Sequence, residues 1–160
     1  MKKWVKGVLW GVGIVATGGT IYAIRLNKSS KKLEIIPRVN LHKLALTGIT
    51  LRVDTQIKNP TGVQINLKYP FVKLLFKDAT VGTSQVVNKD VTFPKNGEVT
   101  LDPFFIEIPI SGAFSLAFEI YKALLAGTAI KVKVYYSTIV KALNAIPIPF
   151  ESSYEVTIKK

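Results

Sequence analysis

The chain contains no cysteine, which excludes disulfide staples, thiolate metal sites, a cysteine nucleophile and the lipid-bearing cysteine of a bacterial lipoprotein. It leaves the redox compartment open. Histidine is almost missing as well, with His42 alone among 160 residues. Triads and general acid/base pairs need a proton carrier tuned near neutrality, most often histidine. His42 stands in NLHKLAL, with no H-x-x-x-H, H-E-x-x-H or G-x-S-x-G pattern near it, so it reads as a surface or strand histidine. Acidic residues number only ten and are scattered singly, as at Asp54, Asp78, Asp90, Asp102 and Glu107, whereas a calcium loop gathers several oxygen ligands within about a dozen residues. The glycines nearest to a phosphate-loop spacing (Gly11, Gly13, Gly18 and Gly19) lie inside an apolar run. The sequence therefore offers no catalytic residue, no cofactor site and no metal ligand set, and reads as a non-enzyme.

What is present is apolar and basic. At 48% hydrophobic residues the chain is not a disordered one, and its length suits one domain with an appendage. The formal charge is +12, unevenly spread. Residues 1–32 carry Lys2, Lys3, Lys6, Arg25, Lys28, Lys31 and Lys32 and no acidic residue; beyond them fifteen basic residues face ten acidic ones. The excess brackets residues 7–24, GVLWGVGIVATGGTIYAI, which hold no charge. As a helix this run reaches about 27 Å at 1.5 Å per residue, close to a hydrocarbon core of about 30 Å. Lys6 and Arg25 stand where their stems snorkel, and Trp4, Trp10 and Tyr22 stand near the two interfaces. The seven basic residues accordingly read as membrane-flanking side chains, each attracted to anionic headgroups by about 1 kcal/mol, and nucleic acid is disfavoured as a partner. A basic start followed by an apolar run also fits a cleaved signal peptide, but the run is long for one. Gly7 and Gly11 form a G-x-x-x-G pair, which permits close helix approach in lipid but also fits the ordinary frequency of glycine in membrane helices.

Residues 27–32, NKSSKK, make a polar linker. After it the pattern is that of strands. Ile49, Leu51, Val53, Thr55 and Ile57 alternate with polar residues, the period of a strand with one dry face. Asn59-Pro60-Thr61-Gly62 stops it, because proline lacks the ladder N–H and Asn and Gly accept turn geometry. Alternation resumes through Val63, Ile65 and Leu67. Leu33–Val39 and Leu41–Leu46 read as two short strands, followed later by Phe71–Phe76, a Lys77-Asp78 turn, and Thr80–Val87. A turn over Phe93–Gly97 leads to Glu98–Ile110, bent by Pro103 and Pro109. Ala113–Ala126 is rich in helix formers, with Ser111 placed as N-cap and Gly127 past the end. Its Phe114, Phe118, Tyr121 and Leu125 share one helical face and read as core packing. Ala129–Tyr136 and Ile148–Ile158 alternate again, joined by a longer connection through Ile139–Pro147. Lys131, Lys133 and Tyr135 fall on one strand face, read as solvated.

The run from Leu51 to Ile110 resembles the type-2 late-embryogenesis-abundant family, also described as the water-stress and hypersensitive-response domain. The likeness rests on an alternating strand ending in Asn-Pro (TQIKNPTGVQI, Thr55–Ile65), on Tyr69, on a strand crossing Val81-Gly82, and on IEIPISG, Ile106–Gly112. One helix between later strands fits as well. The resemblance implies a small antiparallel β-sandwich with one helix, no catalytic residues, and a stress-protective role, often at membranes. It carries over no functional residue, and the strongly basic anchor departs from the family's commoner composition.

The reading is mainly β: residues 1–26 a single-pass transmembrane anchor, 27–32 a linker, 33–160 a small antiparallel β-sandwich with one α-helix. Its expected partners are the lipid bilayer, through residues 7–24, and proteins of unspecified identity. The function expected is non-catalytic binding, scaffolding or stress protection; the alternative is a structural subunit of a larger membrane-containing assembly, such as a lipid-containing virus particle.

Overall fold

The computed structural model describes residues 32–111, 115–142 and 146–159. The anchor at residues 7–24 and the flanking Lys2, Lys3, Lys6, Arg25, Lys28 and Lys31 lie outside these, while Lys32 is exposed at their start. No helix among the described residues is long and apolar enough to cross a membrane.

The described chain forms β1 (Glu34–Ala45), β2 (Gly48–Asn59), β3 (Ile65–Lys68), β4 (Phe71–Phe76), β5 (Ala79–Thr83), β6 (Asp90–Phe93), β7 (Gly97–Thr100), β8 (Phe104–Pro109), α1 (Leu116–Leu125), β9 (Ile130–Ala142) and β10 (Ile146–Ile158). These make two antiparallel sheets, a β-sandwich with one helix. In the first sheet β2 is central, with β1 on one edge and β8 and β7 on the other. In the second, β9 is central: β10 runs its whole length on one side, and β4 and β3 lie along the other, backed by β5 and β6. Pro70 separates β3 from β4, and Pro103 stands between β7 and β8, as expected of a residue that cannot donate to a ladder.

The dry faces meet in the middle. Ile49, Leu51, Val53 and Ile57 of β2 and Val132, Val134 and Val140 of β9 are all buried, each large aliphatic among them gaining about 1.5–3 kcal/mol from burial. One polar pair spans this interior: Thr55 Oγ1 and Tyr136 Oη, both buried, share a hydrogen bond of 2.7 Å between the sheets. The chain crosses from the first sheet to the second at Asn59, so β2 and β3 are not sheet neighbours. The buried Asn59 amide donates to Val63 O (2.8 Å) and Pro94 O (3.0 Å), and its oxygen accepts from Thr61 N (3.1 Å) and Thr61 Oγ1 (2.6 Å). That satisfies the crossover and ties it to the β6–β7 turn.

Two hydrogen bonds fix which backbone groups each strand uses. Ile110 N donates to Thr47 O at 3.3 Å, next to the Gly48–Pro109 pair, and Ser84 N donates to Val72 O at 2.8 Å, next to Lys73–Thr83. Bonded and non-bonded pairs alternate along an antiparallel ladder. Even-numbered residues of β8 therefore bond odd-numbered residues of β2, which leaves the even-numbered residues of β2 for β1. Odd-numbered residues of β4 and β9 bond each other, which leaves the even-numbered residues of β9 for β10. The unused, outward set is odd-numbered in β8, in β10, and in β1 up to its bulge. Pro37, Pro109, Pro147 and Pro149 all belong to it, so none of their missing N–H groups breaks a ladder. At the β8 edge β5 closes in: a Cβ on Gly82 would lie 2.7 Å from Ile106 Cγ2 and 3.1 Å from Glu107 O, so only glycine fits that approach.

Several expectations are corrected. Leu33–Val39 and Leu41–Leu46 form one strand, β1, because the break is a bulge between Leu41 and Lys43 and not a turn. Thr80–Val87 stops pairing at Thr83, and the connection through Ile139–Pro147 is mostly strand, since β9 and β10 pair up to Ala142 and Ile146. The helix is capped by Ser115, whose Oγ accepts from Phe118 N at 3.2 Å, and not by Ser111. It ends as expected at Gly127 (φ +74°), with Thr128 N on Ala123 O (2.8 Å) and Gly127 N on Leu124 O (3.1 Å). Its buried face is Ala117, Ile120 and Leu124. Phe118 and Tyr121 stack on each other beside the core with ring centroids 6.1 Å apart, and Leu125 is exposed. The small residue at 117 lets the helix approach the sheet, and the aromatics are too bulky for that side. Phe114 lies outside the described residues.

Candidate binding cleft

Beyond the Gly82 contact the two sheet edges part. The segment between β5 and β6 is tied at both ends: Ser84 Oγ accepts from Val72 N (3.0 Å), and Lys89 O accepts from Tyr69 N (2.6 Å). Between the ties Val86 is 83% and Val87 43% exposed, and on β8 Phe105 is 49% exposed. Val87 and Phe105 face a cleft of about 380 Å³ whose floor includes Tyr69 and Phe104. Ligand clefts are commonly about 300–1,000 Å³ and lined by apolar and aromatic side chains with a few fixed polar groups.

The walls are joined by several contacts. Tyr69 donates its hydroxyl to Asp102 O (3.1 Å), its ring lies 5.4 Å from that of Phe104, and the Lys89 ammonium sits 5.8 Å over it. Burial, and secondarily the Asp102 charge, raise the Tyr69 hydroxyl above its ordinary value, which keeps it a neutral donor. Lys89 and Asp102 pair at 3.7 Å, but both are well exposed, so the pair contributes little. The Phe105 ring leans over the first sheet onto His42, 4.9 Å away and edge-on. His42 is exposed beside the β1 bulge. Its role there is that of an aromatic neighbour.

Lys131, Lys133 and Tyr135 do share the outer face of the second sheet. Lys133 pairs with Asp78 (2.9 Å), Lys131 with Glu155 (3.4 Å), and Lys68 and Lys141 both hold Asp90, at 3.2 and 2.7 Å. Hydrogen bonds from these lysines draw the Asp78 and Asp90 carboxyls below their ordinary range and raise Lys133 and Lys141. The Tyr135 hydroxyl is raised by its bond to Glu151, and Lys73 lies 5.6 Å from the Tyr135 ring. The face is charge-balanced and solvated. No group of three or more acidic or histidine side chains is placed to hold a metal among the described residues.

The cleft residues Phe105 and Val87, and the exposed Val86 beside them, carried no sequence signal of a site. Val86-Val87 read as the end of a strand. Phe104-Phe105 held the one available clue, since adjacent residues of a strand face opposite ways and one phenylalanine had to point outward.

No family model and no curated protein matches the chain. Among solved structures it is similar to a protein from Archaeoglobus fulgidus, at 13% identity over 80% of this chain and 96% of that one, with a TM-score of 0.42. It is also similar to a protein from Arabidopsis thaliana (13% identity, 77% and 80% coverage, TM-score 0.44). A third is a candidate late-embryogenesis-abundant protein (14% identity, 97% and 89% coverage, TM-score 0.39).

Proposed function

We propose that the chain is a non-catalytic, membrane-anchored β-sandwich that works by binding or scaffolding. The observation that carries the binding role is the cleft between Val87 and Phe105, which Tyr69 and Phe104 line together with Ser84, Gln85, Lys89 and Asp102. The sequence resemblance adds stress protection as the setting, and the uncharged run at residues 7–24 adds the membrane.

The test uses the full chain, purified from its own membrane in mild detergent, as wild type and as Phe105→Ser with Val87→Ser. A component present at fixed ratio with the wild type and lost from the variant supports the cleft as the binding surface; the same component retained by both overturns it. A fixed high copy number within a shell identifies the assembly-subunit alternative. The anchor is tested separately. High salt or carbonate washing is expected to leave the protein in the membrane and detergent to extract it, because apolar insertion outweighs lysine contacts that salt screens. Ile14→Arg places a charge costing about 2.5–3.5 kcal/mol at mid-membrane and should impair insertion far more than Lys31→Ala with Lys32→Ala; release by salt alone would make the N-terminus a peripheral basic arm.

A further inference from the structure

Away from the cleft, β1 and β10 form the facing edges of the two sheets and lie close to each other. An unpaired edge is a template for another strand, and proteins blunt such edges with prolines, bulges, lysines or covering segments. The β1 edge is interrupted by Pro37 and by the bulge before Lys43. The β8 edge ends in Pro109 and is covered by β5 at Gly82. The first half of β10 carries Pro147 and Pro149 on its outward set. The second half carries no proline or bulge and no covering segment among the described residues: Glu151, Ser153, Glu155 and Thr157 are all outward in the ladder phase and exposed, and their N–H and C=O groups have no backbone partner there, so charge alone guards this stretch.

We infer that the Glu151–Thr157 half of β10 is a docking edge for an extended, basic polypeptide segment, which adds to the second sheet as a further antiparallel strand. Its main-chain groups would pair with those of the four outward residues, and its lysine or arginine side chains would lie on the face that carries Glu151 and Glu155. The charges favour a basic occupant over a second copy in the symmetric register. A second copy pairing antiparallel about Ser153 sets Glu151 opposite Glu155 of that copy at both ends, and like charges directly opposite are destabilising. A basic strand meets the same carboxylates favourably on their free side, since their present partners, Lys131 at 3.4 Å and the Tyr135 hydroxyl, both belong to β9. Docking would also cover Tyr154 and Val156, which point inward but remain only partly buried at this edge.

The experiment is amide hydrogen exchange on the full chain in detergent. The probe is a seven-residue blocked peptide alternating lysine and valine, and the control replaces its lysines by glutamate. The lysine peptide is expected to slow exchange at Glu151, Ser153, Glu155 and Thr157 by roughly tenfold or more, and the glutamate peptide to leave it unchanged. Ser153→Pro removes an outward N–H without touching a β9 bond, so Tm should stay within about 3 °C of wild type while the peptide effect is lost; Glu155→Pro serves should the first variant fail to fold. Lysine-peptide binding without slowed exchange at these amides would reduce the contact to non-specific charge attraction and overturn the inference. So would amides already slow in the peptide-free chain at a rate that depends on protein concentration, since a second copy would then occupy the edge.

Discussion

Removing the hydroxyl of Tyr136 tests how the two sheets are joined. Thr55 and Tyr136 are both buried, and their 2.7 Å hydrogen bond is far from solvent. Tyr136→Phe deletes a bond with a net contribution of about 1 kcal/mol and strands the Thr55 hydroxyl, whose unpaired burial costs about 1–3 kcal/mol. A loss near 2 kcal/mol follows, or roughly 8 °C in Tm for a domain of this size. Thr55→Val should cost a similar amount by stranding the phenol. The double variant removes both polar groups together and should lie within about 1 kcal/mol of wild type, so the two losses are strongly non-additive. The assay is thermal unfolding of the full chain in detergent, followed by near-ultraviolet circular dichroism. Alkaline pH gives a second readout. Burial pushes the Tyr136 hydroxyl up from 10.0 to about 12, against the lowering effect of its Thr55 bond. Because the folded value is the higher one, this contribution to stability is whole below pH 10 and is lost as pH rises from 10 towards 12. Tyr136→Phe should remove that part of the alkaline loss. Additive single-variant effects, or a Tyr136→Phe Tm within about 2 °C of wild type, would refute the reasoning.

Asn59→Ala should destabilise by about 2–4 kcal/mol through its lost crossover bonds, and Asn59→Asp by more, because a carboxylate would face Val63 O and Pro94 O; equal urea midpoints for the two would contradict this. Gly82→Ala should cost about 1–3 kcal/mol by forcing its methyl against Ile106 and Glu107 O, and a variant as stable as wild type would show that β5 and β8 move apart freely. Ile120→Ala should cost about 2–5 kcal/mol, while Phe118→Ala, on the outer side of the helix, should cost about 1; calorimetry in which the two change places would restore the aromatic stripe to the core.

The legible part of this fold is the part written in periods and breakers. The alternation of β2, the Lys77-Asp78 turn with both residues at positive φ, and Gly127 beyond the helix are local matters, and each was readable from a few residues. What could not be read depends on partners distant in sequence. Asn59 looked like a turn residue; that it carries the chain between sheets follows only once β3 is seen to pair with β6 and β9. Both faces of α1 are apolar, so the pattern alone did not say which one a sheet would accept. The cleft was invisible for the same reason. Phe105 and Val87 stand far apart in the chain, and what brings them together is a glycine contact between two edges.

The central place of β9 also bears on how the protein is made. β1 and β2 form a hairpin as soon as both have been synthesised, but β3 and β4 leave the ribosome long before the strand that completes their sheet, since β9 begins only at Ile130. Until then Val72 and Leu74, buried in the finished molecule, wait beside an unfilled edge, and late, long-range pairing of this kind is slow and prone to aggregation. A message truncated before Ile130 would therefore not yield a protein short of its last hairpin; it would yield a first sheet facing the β3–β6 and β4–β5 pairs, with no central strand to join those two into a second sheet.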